Sequence, residues 1–142
     1  MGGYLGSYLY QVDEKGRVTL PAAFRRGMES PSFILLQFHP DALTLYPSEV
    51  WGGVEARLRE TAKRAPRYRH FLLGITANAV EVVPDKQGRI LIPDRLRERA
   101  GIRGEAQLVG AIDKIEIWDP DRFQNAVDGI EGDFGDLAGI FA

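Results

Sequence analysis

Apolar and polar residues change places at intervals of two near the start of the chain. Tyr8-Leu9-Tyr10-Gln11-Val12 is dominated by aromatic and β-branched residues and predicts a strand. Val18 and Leu20 alternate with Arg17 and Thr19, so a second strand should bury one face. Between them Asp13 suits the first position of a type I turn, and Gly16 supplies the positive φ that closes it. Pro21 ends the ladder because it has no backbone donor. Residues 8–20 therefore predict a hairpin. Phe33-Ile34-Leu35-Leu36-Gln37-Phe38 and Leu43-Thr44-Leu45-Tyr46 read as two more strands. The interval then lengthens to four, with Val50, Val54, Leu58 and Ala62 on one helical face and Ser48 placed to cap it. Gly52-Gly53 weakens this helix and Pro66 interrupts it, before a further helical stretch through Tyr68, Phe71, Leu72 and Ile75.

The whole pattern recurs 72 residues later. Asp13-Glu14-Lys15-Gly16-Arg17 returns as Asp85-Lys86-Gln87-Gly88-Arg89, each followed by apolar-x-apolar-Pro. The same offset carries Leu43-Thr44-Leu45-Tyr46 onto Ile115-Glu116-Ile117-Trp118, without a gap. Val80, Val82, Ile90 and Ile92 form the second hairpin, and residues 106–110 and 115–118 match the later strands. A short helix follows Pro93 and stops at Gly101, with residues 22–27 as its shorter counterpart. Asp119 or Asp121 caps a last helix carrying Phe123, Val127 and Ile130. Two copies are too few for a solenoid. The chain reads as a duplicated, mainly β module with short helices (α+β), residues 1–65 and 66–142. A module of about 70 residues buries little core alone, so the copies should share one or pair with other subunits.

Composition narrows the class. There are no cysteines among 142 residues, which excludes disulfides and thiolate metal sites. No apolar run suggests a secretory signal or a membrane span, and Gly6 stands where a myristoylation motif needs Ser or Thr. A cytoplasmic protein is the expectation. The net charge of −2 argues against a generic nucleic-acid coat, but it hides an uneven distribution. Residues 85–103 hold Lys86, Arg89, Arg95, Arg97, Arg99 and Arg103 against Asp85, Asp94 and Glu98. Residues 119–136 hold six carboxylates, Glu131 and Asp133 among them, against Arg122 alone.

Few residues point to chemistry. Arg17 and Arg89 stand one position past the turn glycines, near Lys15 and Lys86. A two-stranded ribbon with cations at its tip fits a DNA major groove. The plainer alternative is that each arginine pairs with its own aspartate across the turn. Asp13 and Asp85 sit at turn starts with glycine three residues on, which marks them, like Gly16 and Gly88, as turn-structural rather than catalytic. The basic run Arg57, Arg59, Lys63, Arg64, Arg67 and Arg69 reads as a solvated helix face, with Arg69 a candidate bridge between copies or subunits. His39 and His70 are isolated, so no metal is expected. Neither a phosphate-binding loop, a dinucleotide fingerprint nor a nucleophile elbow is present, and no enzyme, cofactor or small-molecule substrate is indicated.

The two Asp-x-x-x-Arg turns, together with Leu45-Tyr46-Pro47, Trp51, Arg69 with Phe71, and Ile115-Glu116-Ile117-Trp118-Asp119, resemble the MraZ family over nearly the whole chain. That family is similar to tandem copies of the module of AbrB-type regulators and MazE-type antitoxins. The resemblance implies a swapped-hairpin barrel built by two halves of one chain, assembled into a homo-oligomeric ring. It implies a nucleoid-associated repressor that binds double-stranded DNA at direct repeats in the promoter of its own division and cell-wall operon. Lys15, Arg17, Lys86 and Arg89 would make the DNA contacts. The alternatives are an antitoxin-like regulator with an inhibitory tail, and an oligomeric scaffold whose basic tips bind acidic proteins.

Overall fold

The computed structural model describes residues 3–129 and 134–141. Ile130, Glu131 and Asp133, on which sequence expectations were placed, lie outside these. Six strands form one antiparallel sheet in the order β1 (Ser7–Gln11), β7 (Glu105–Gly110), β8 (Ile115–Trp118), β4 (Ala42–Pro47), β3 (Phe33–His39) and β5 (Val80–Val82). A separate two-stranded ribbon pairs β2 (Arg17–Thr19) with β6 (Arg89–Leu91). Five α-helices, α1 (Ser48–Arg64), α2 (Arg69–Ala77), α3 (Asp94–Ala100), α4 (Pro120–Asp128) and α5 (Phe134–Phe141), and two single 3-10 turns, Ala22–Phe24 and Pro66–Tyr68, complete the described fold. The mixed, mainly antiparallel architecture with short helices is the one the alternation predicts.

Two expectations need correction. The alternation predicts a hairpin at each Asp–Gly turn, but the arms part after the turn closes. Asp13 N–H bonds Arg17 O at 2.9 Å and Gly16 N–H bonds Asp13 O at 3.0 Å; beyond that β1 pairs with β7, and β2 with β6. A three-residue strand ending at a proline cannot shelter its apolar side alone. Paired with its counterpart, it adds Val18, Leu20, Ile90 and Ile92 to one buried cluster. Secondly, no closed barrel forms among the described residues. Edge strands β1 and β5 turn into the ribbon rather than bonding to each other, and the ribbon joins the sheet through side chains rather than a backbone ladder.

The sheet is covered on both faces. On one, the ribbon and α3 pack Val18, Leu20, Ile90, Ile92 and Leu96 against Leu35, Leu43, Leu45, Leu108, Ile115 and Ile117. On the other, Val54 of α1 and Ile75 of α2 pack on Leu36 and Tyr46. Central strand β4 is consequently buried at every position, including Thr44. That packing carries α1 through Gly52-Gly53 without a break, since an amphipathic face outweighs local propensity. Ser48 is not a cap: Pro47 holds that position, and the Ser48 hydroxyl bonds the Ser32 hydroxyl at 2.9 Å. Asp119 does cap α4, accepting Arg122 N–H at 3.1 Å, and Gly101 closes α3 in the left-handed conformation, φ 72°. No helix among the described residues is long and apolar enough to cross a membrane.

Candidate nucleic-acid interface

The ribbon has two unlike faces because directly paired residues share a side. Val18 pairs with Ile90, and both are buried. Arg17 pairs with Leu91 and Thr19 with Arg89, all four on the opposite face, where Leu91 is 52% exposed. Arg17 and Arg89 are therefore diagonal neighbours, their backbones roughly 7–8 Å apart across the ribbon. Sequence reasoning put each arginine at the tip of its own hairpin. The structure brings the two onto one small surface.

Each turn orients its arginine in the same way. Asp13 Oδ1 accepts the N–H groups of Lys15 (3.0 Å) and Arg17 (2.8 Å), and its Oδ2 accepts Arg17 Nε at 2.8 Å. Asp85 repeats this with Gln87 N–H (2.9 Å), Arg89 N–H (2.9 Å) and Arg89 Nε (3.0 Å). These bonds stabilise the ionised carboxylates. Both titrate below their ordinary value, chiefly through the backbone N–H of Arg17 and of Arg89 respectively. An aspartate so engaged is a turn-former, not a general base. The arginines do pair with their own aspartates, as the plainer alternative had it. Only Nε is used, however, and neither guanidinium's terminal nitrogens bond anything among the described residues. A guanidinium fixed at one edge and free at the other is pre-organised for an outside acceptor.

Lys15 and Lys86 are exposed on the turns but do not correspond: at the 72-residue offset Lys15 matches Gln87, and Lys86 matches Glu14. Gly16 and Gly88 are buried with φ of 88° and 80°, as the turns require. The sequence reading missed Thr19 and Leu91 as partners of the arginines on the ribbon face. It also missed Arg25 and Arg97, which pack on the turn glycines. The 72-residue offset was the available signal, since it relates Thr19 to Leu91 and Arg25 to Arg97.

Other candidates fall away from this surface. The basic run on α1, α2 and the turn between them is exposed throughout, with helix-surface pairs Arg59–Glu55 (3.5 Å) and Arg64–Glu60 (2.9 Å) and Arg67 over the Tyr68 ring. Arg69 lines an apolar groove between α1 and α2 with Trp51, Leu58 and Leu72. His39 and His70, far apart in sequence, line one cavity of about 320 Å³ beside Arg99. No group of three or more His, Asp or Glu is placed to hold a metal among the described residues.

Comparison with known proteins gives a consistent result. The family model described as "MraZ protein, putative antitoxin-like" matches residues 4–73 and again 75–135. A protein of Acetivibrio thermocellus named "Transcriptional regulator MraZ" is 38% identical over 122 residues, 86% of this chain and 85% of that one. Proteins of the same name from Herpetosiphon aurantiacus and Caldicellulosiruptor bescii are 36% and 40% identical. They cover 95% and 80% of this chain, and 94% and 79% of their own.

Proposed function

The chain belongs to the MraZ family, and on that premise we propose that it is a DNA-binding transcriptional regulator reading duplex DNA with the outer face of the β2–β6 ribbon. One observation carries the reading: two arginines, each tethered by Nε alone, share the exposed side of a ribbon narrow enough for a major groove. Arg17 and Arg89 contact guanine edges or phosphate, Lys15 and Lys86 contact phosphate, and Asp13, Gly16, Asp85 and Gly88 hold the turns in shape. No step of chemistry is needed, and the protein acts as a binder rather than an enzyme.

The finer parts of the proposal follow the same line. The halves, residues 1–65 and 66–142, are repeats sharing one core, and their exchanged pairing is that of a swapped hairpin. Several chains assemble into a ring, which presents several ribbons to direct repeats in the promoter of the chain's own division and cell-wall operon and represses it. Linked sites raise affinity without new contacts. The protein then works in the cytoplasm, on the nucleoid. A second reading, an antitoxin-like tail, is favoured by α5, where Phe134, Leu137, Ile140 and Phe141 are exposed.

A gel-shift titration against the DNA upstream of the chain's own gene, with a scrambled duplex as competitor, tests the proposal. Arg17→Ala should fold and assemble as the parent does, yet lose about 1–3 kcal/mol of binding per engaged ribbon. Equal affinity of the parent for both duplexes would leave the scaffold alternative standing. An unimpaired Arg17→Ala would move the interface to the basic helices.

A further inference from the structure

Each turn is held by the opposite half of the chain. Gly16 O accepts Ile92 N–H at 2.9 Å, and Gly88 O accepts Leu20 N–H at 2.8 Å. Over each buried glycine lies an arginine from the segment that follows the partner strand. A methyl group on Gly88 would sit 2.7 Å from Arg25 Nη2 and 2.8 Å from its Cζ; one on Gly16 would sit 3.5 Å from Arg97 Nε. Arg25 and Arg97 are related by the same 72-residue offset as the turns, so this is one device used twice.

The two copies differ in how the arginine is held. Arg25 Nε donates to Leu20 O at 3.1 Å, which fixes its guanidinium over Gly88. The corresponding carbonyl for Arg97 is that of Ile92, but Asp94 takes the Arg97 Nη2 at 2.7 Å. Arg97 Nε is left buried with no partner among the described residues. Asp94 corresponds to Ala22 in the first half, which has no carboxylate to compete.

We propose that Arg25 and Arg97 are positioning residues for DNA recognition, each setting the turn of the opposite half, and that Asp94 makes the Gly16 turn the more loosely held. The inference rests on the ribbon face being the DNA-binding surface. Arg25 controls Arg89, and Arg97 controls Arg17, through the glycine between them. Neither needs to touch DNA.

Hydrogen–deuterium exchange on the free, full-length protein reads the crosswise connection directly. Arg97→Gln, which strips away the guanidinium packed over Gly16, should speed exchange at residues 13–17 severalfold and leave residues 85–89 unchanged. Arg25→Gln should do the reverse. Asp94→Ala, an exposed position carrying the residue found at 22, frees Arg97 for Ile92 O and should slow exchange at residues 13–17. It keeps the test decisive if an arginine variant fails to fold. Operator binding at low salt supplies the second readout: Arg97→Gln should weaken binding in an Arg89→Ala background and add nothing in an Arg17→Ala background. Exchange that rises equally at both turns overturns the inference, as does crosswise exchange without any change in affinity. If the parent binds no DNA, the underlying reading fails instead, recognisable because the crosswise exchange pattern is still present.

Discussion

Alanine at the turn glycines should not cost the same at each position, and the structure sets the order. Gly16, Gly27 and Gly88 all have φ between 80° and 88°, where a Cβ costs about 1–2 kcal/mol whatever the surroundings. At Gly27 nothing lies within 4 Å of the added methyl, so Gly27→Ala should show that cost alone. At Gly88 the nearest atoms belong to the end of Arg25, which can move aside by giving up its Nε bond to Leu20 O, a part-buried side-chain bond that water can replace. At Gly16 the methyl would lie 2.8 Å from Ile92 O, a backbone atom. Ile92 cannot retreat without losing its N–H bond to Gly16 O, which adds about 0.5–1.5 kcal/mol. Gly16→Ala should therefore cost about 2–3 kcal/mol, against about 1–2 for Gly88→Ala and Gly27→Ala. Urea denaturation at one fixed protein concentration measures the difference without interference from assembly. If Gly16→Ala is no worse than Gly27→Ala, the Ile92 carbonyl is not a fixed wall, and the account of the turn as a cross-half contact is wrong.

Other expectations follow from single residues. Asp13 and Asp85 have folded values depressed below the unfolded one, so their contribution is complete above about pH 4 and is lost as pH falls through the lower folded values. A double Asp13→Asn, Asp85→Asn variant should have a flatter acid limb in its urea midpoint between pH 6 and pH 3, and an unchanged limb would refute the assignment. Asp119→Ala should cost about 1 kcal/mol through the lost α4 cap, whereas Asp121→Ala, which caps nothing, should stay within about 0.5; equal costs would count against the cap. Leu91→Thr, copying Thr19, should leave stability unchanged because Leu91 is 52% exposed. If Leu91 meets a thymine methyl, replacing operator thymine by uracil should weaken the parent about fourfold per contact, at about 0.8 kcal/mol per buried carbon, and weaken the variant less, because its single methyl covers less of the base.

What the sequence carried was which side each residue faces; what it did not carry was which strand it faces. Val18 and Ile90 are apolar in an alternating setting, and both are buried as the period-of-two pattern demands. The same pattern is satisfied whether Val18 pairs with its own preceding strand or with β6. Only the short length of β2 and the proline after it disfavour the local hairpin. Ser48 went astray for a related reason: a serine before an apolar run caps a helix only if it occupies the non-helical position, and Pro47 takes it. The turn chemistry was legible in kind, because an aspartate bonding N–H groups two and four residues on needs no tertiary partner. Arg25 and Arg97 were not, because their contact with a glycine across the duplication has no local signature.

The cross-half ribbon also bears on why the proposed DNA binding calls for more than one chain. Its outer face and turns offer four cations, Lys15, Arg17, Lys86 and Arg89, on a chain of net charge −2. Four neutralised phosphates give a salt slope of about −0.9 each, so binding by one ribbon should fall roughly a hundredfold between 50 and 200 mM salt. Two of those four cations are already half-committed to Asp13 and Asp85, which lowers the yield further. Adding lysines would strengthen a single ribbon, but it would do so equally on every sequence. In the proposed assembly, fixing two arginines by their aspartates and repeating the ribbon would keep each contact weak and directional. Affinity then depends on several correctly spaced half-sites being present at once. On that argument the aspartates, which reduce the charge of each turn, are what make the spacing of sites matter.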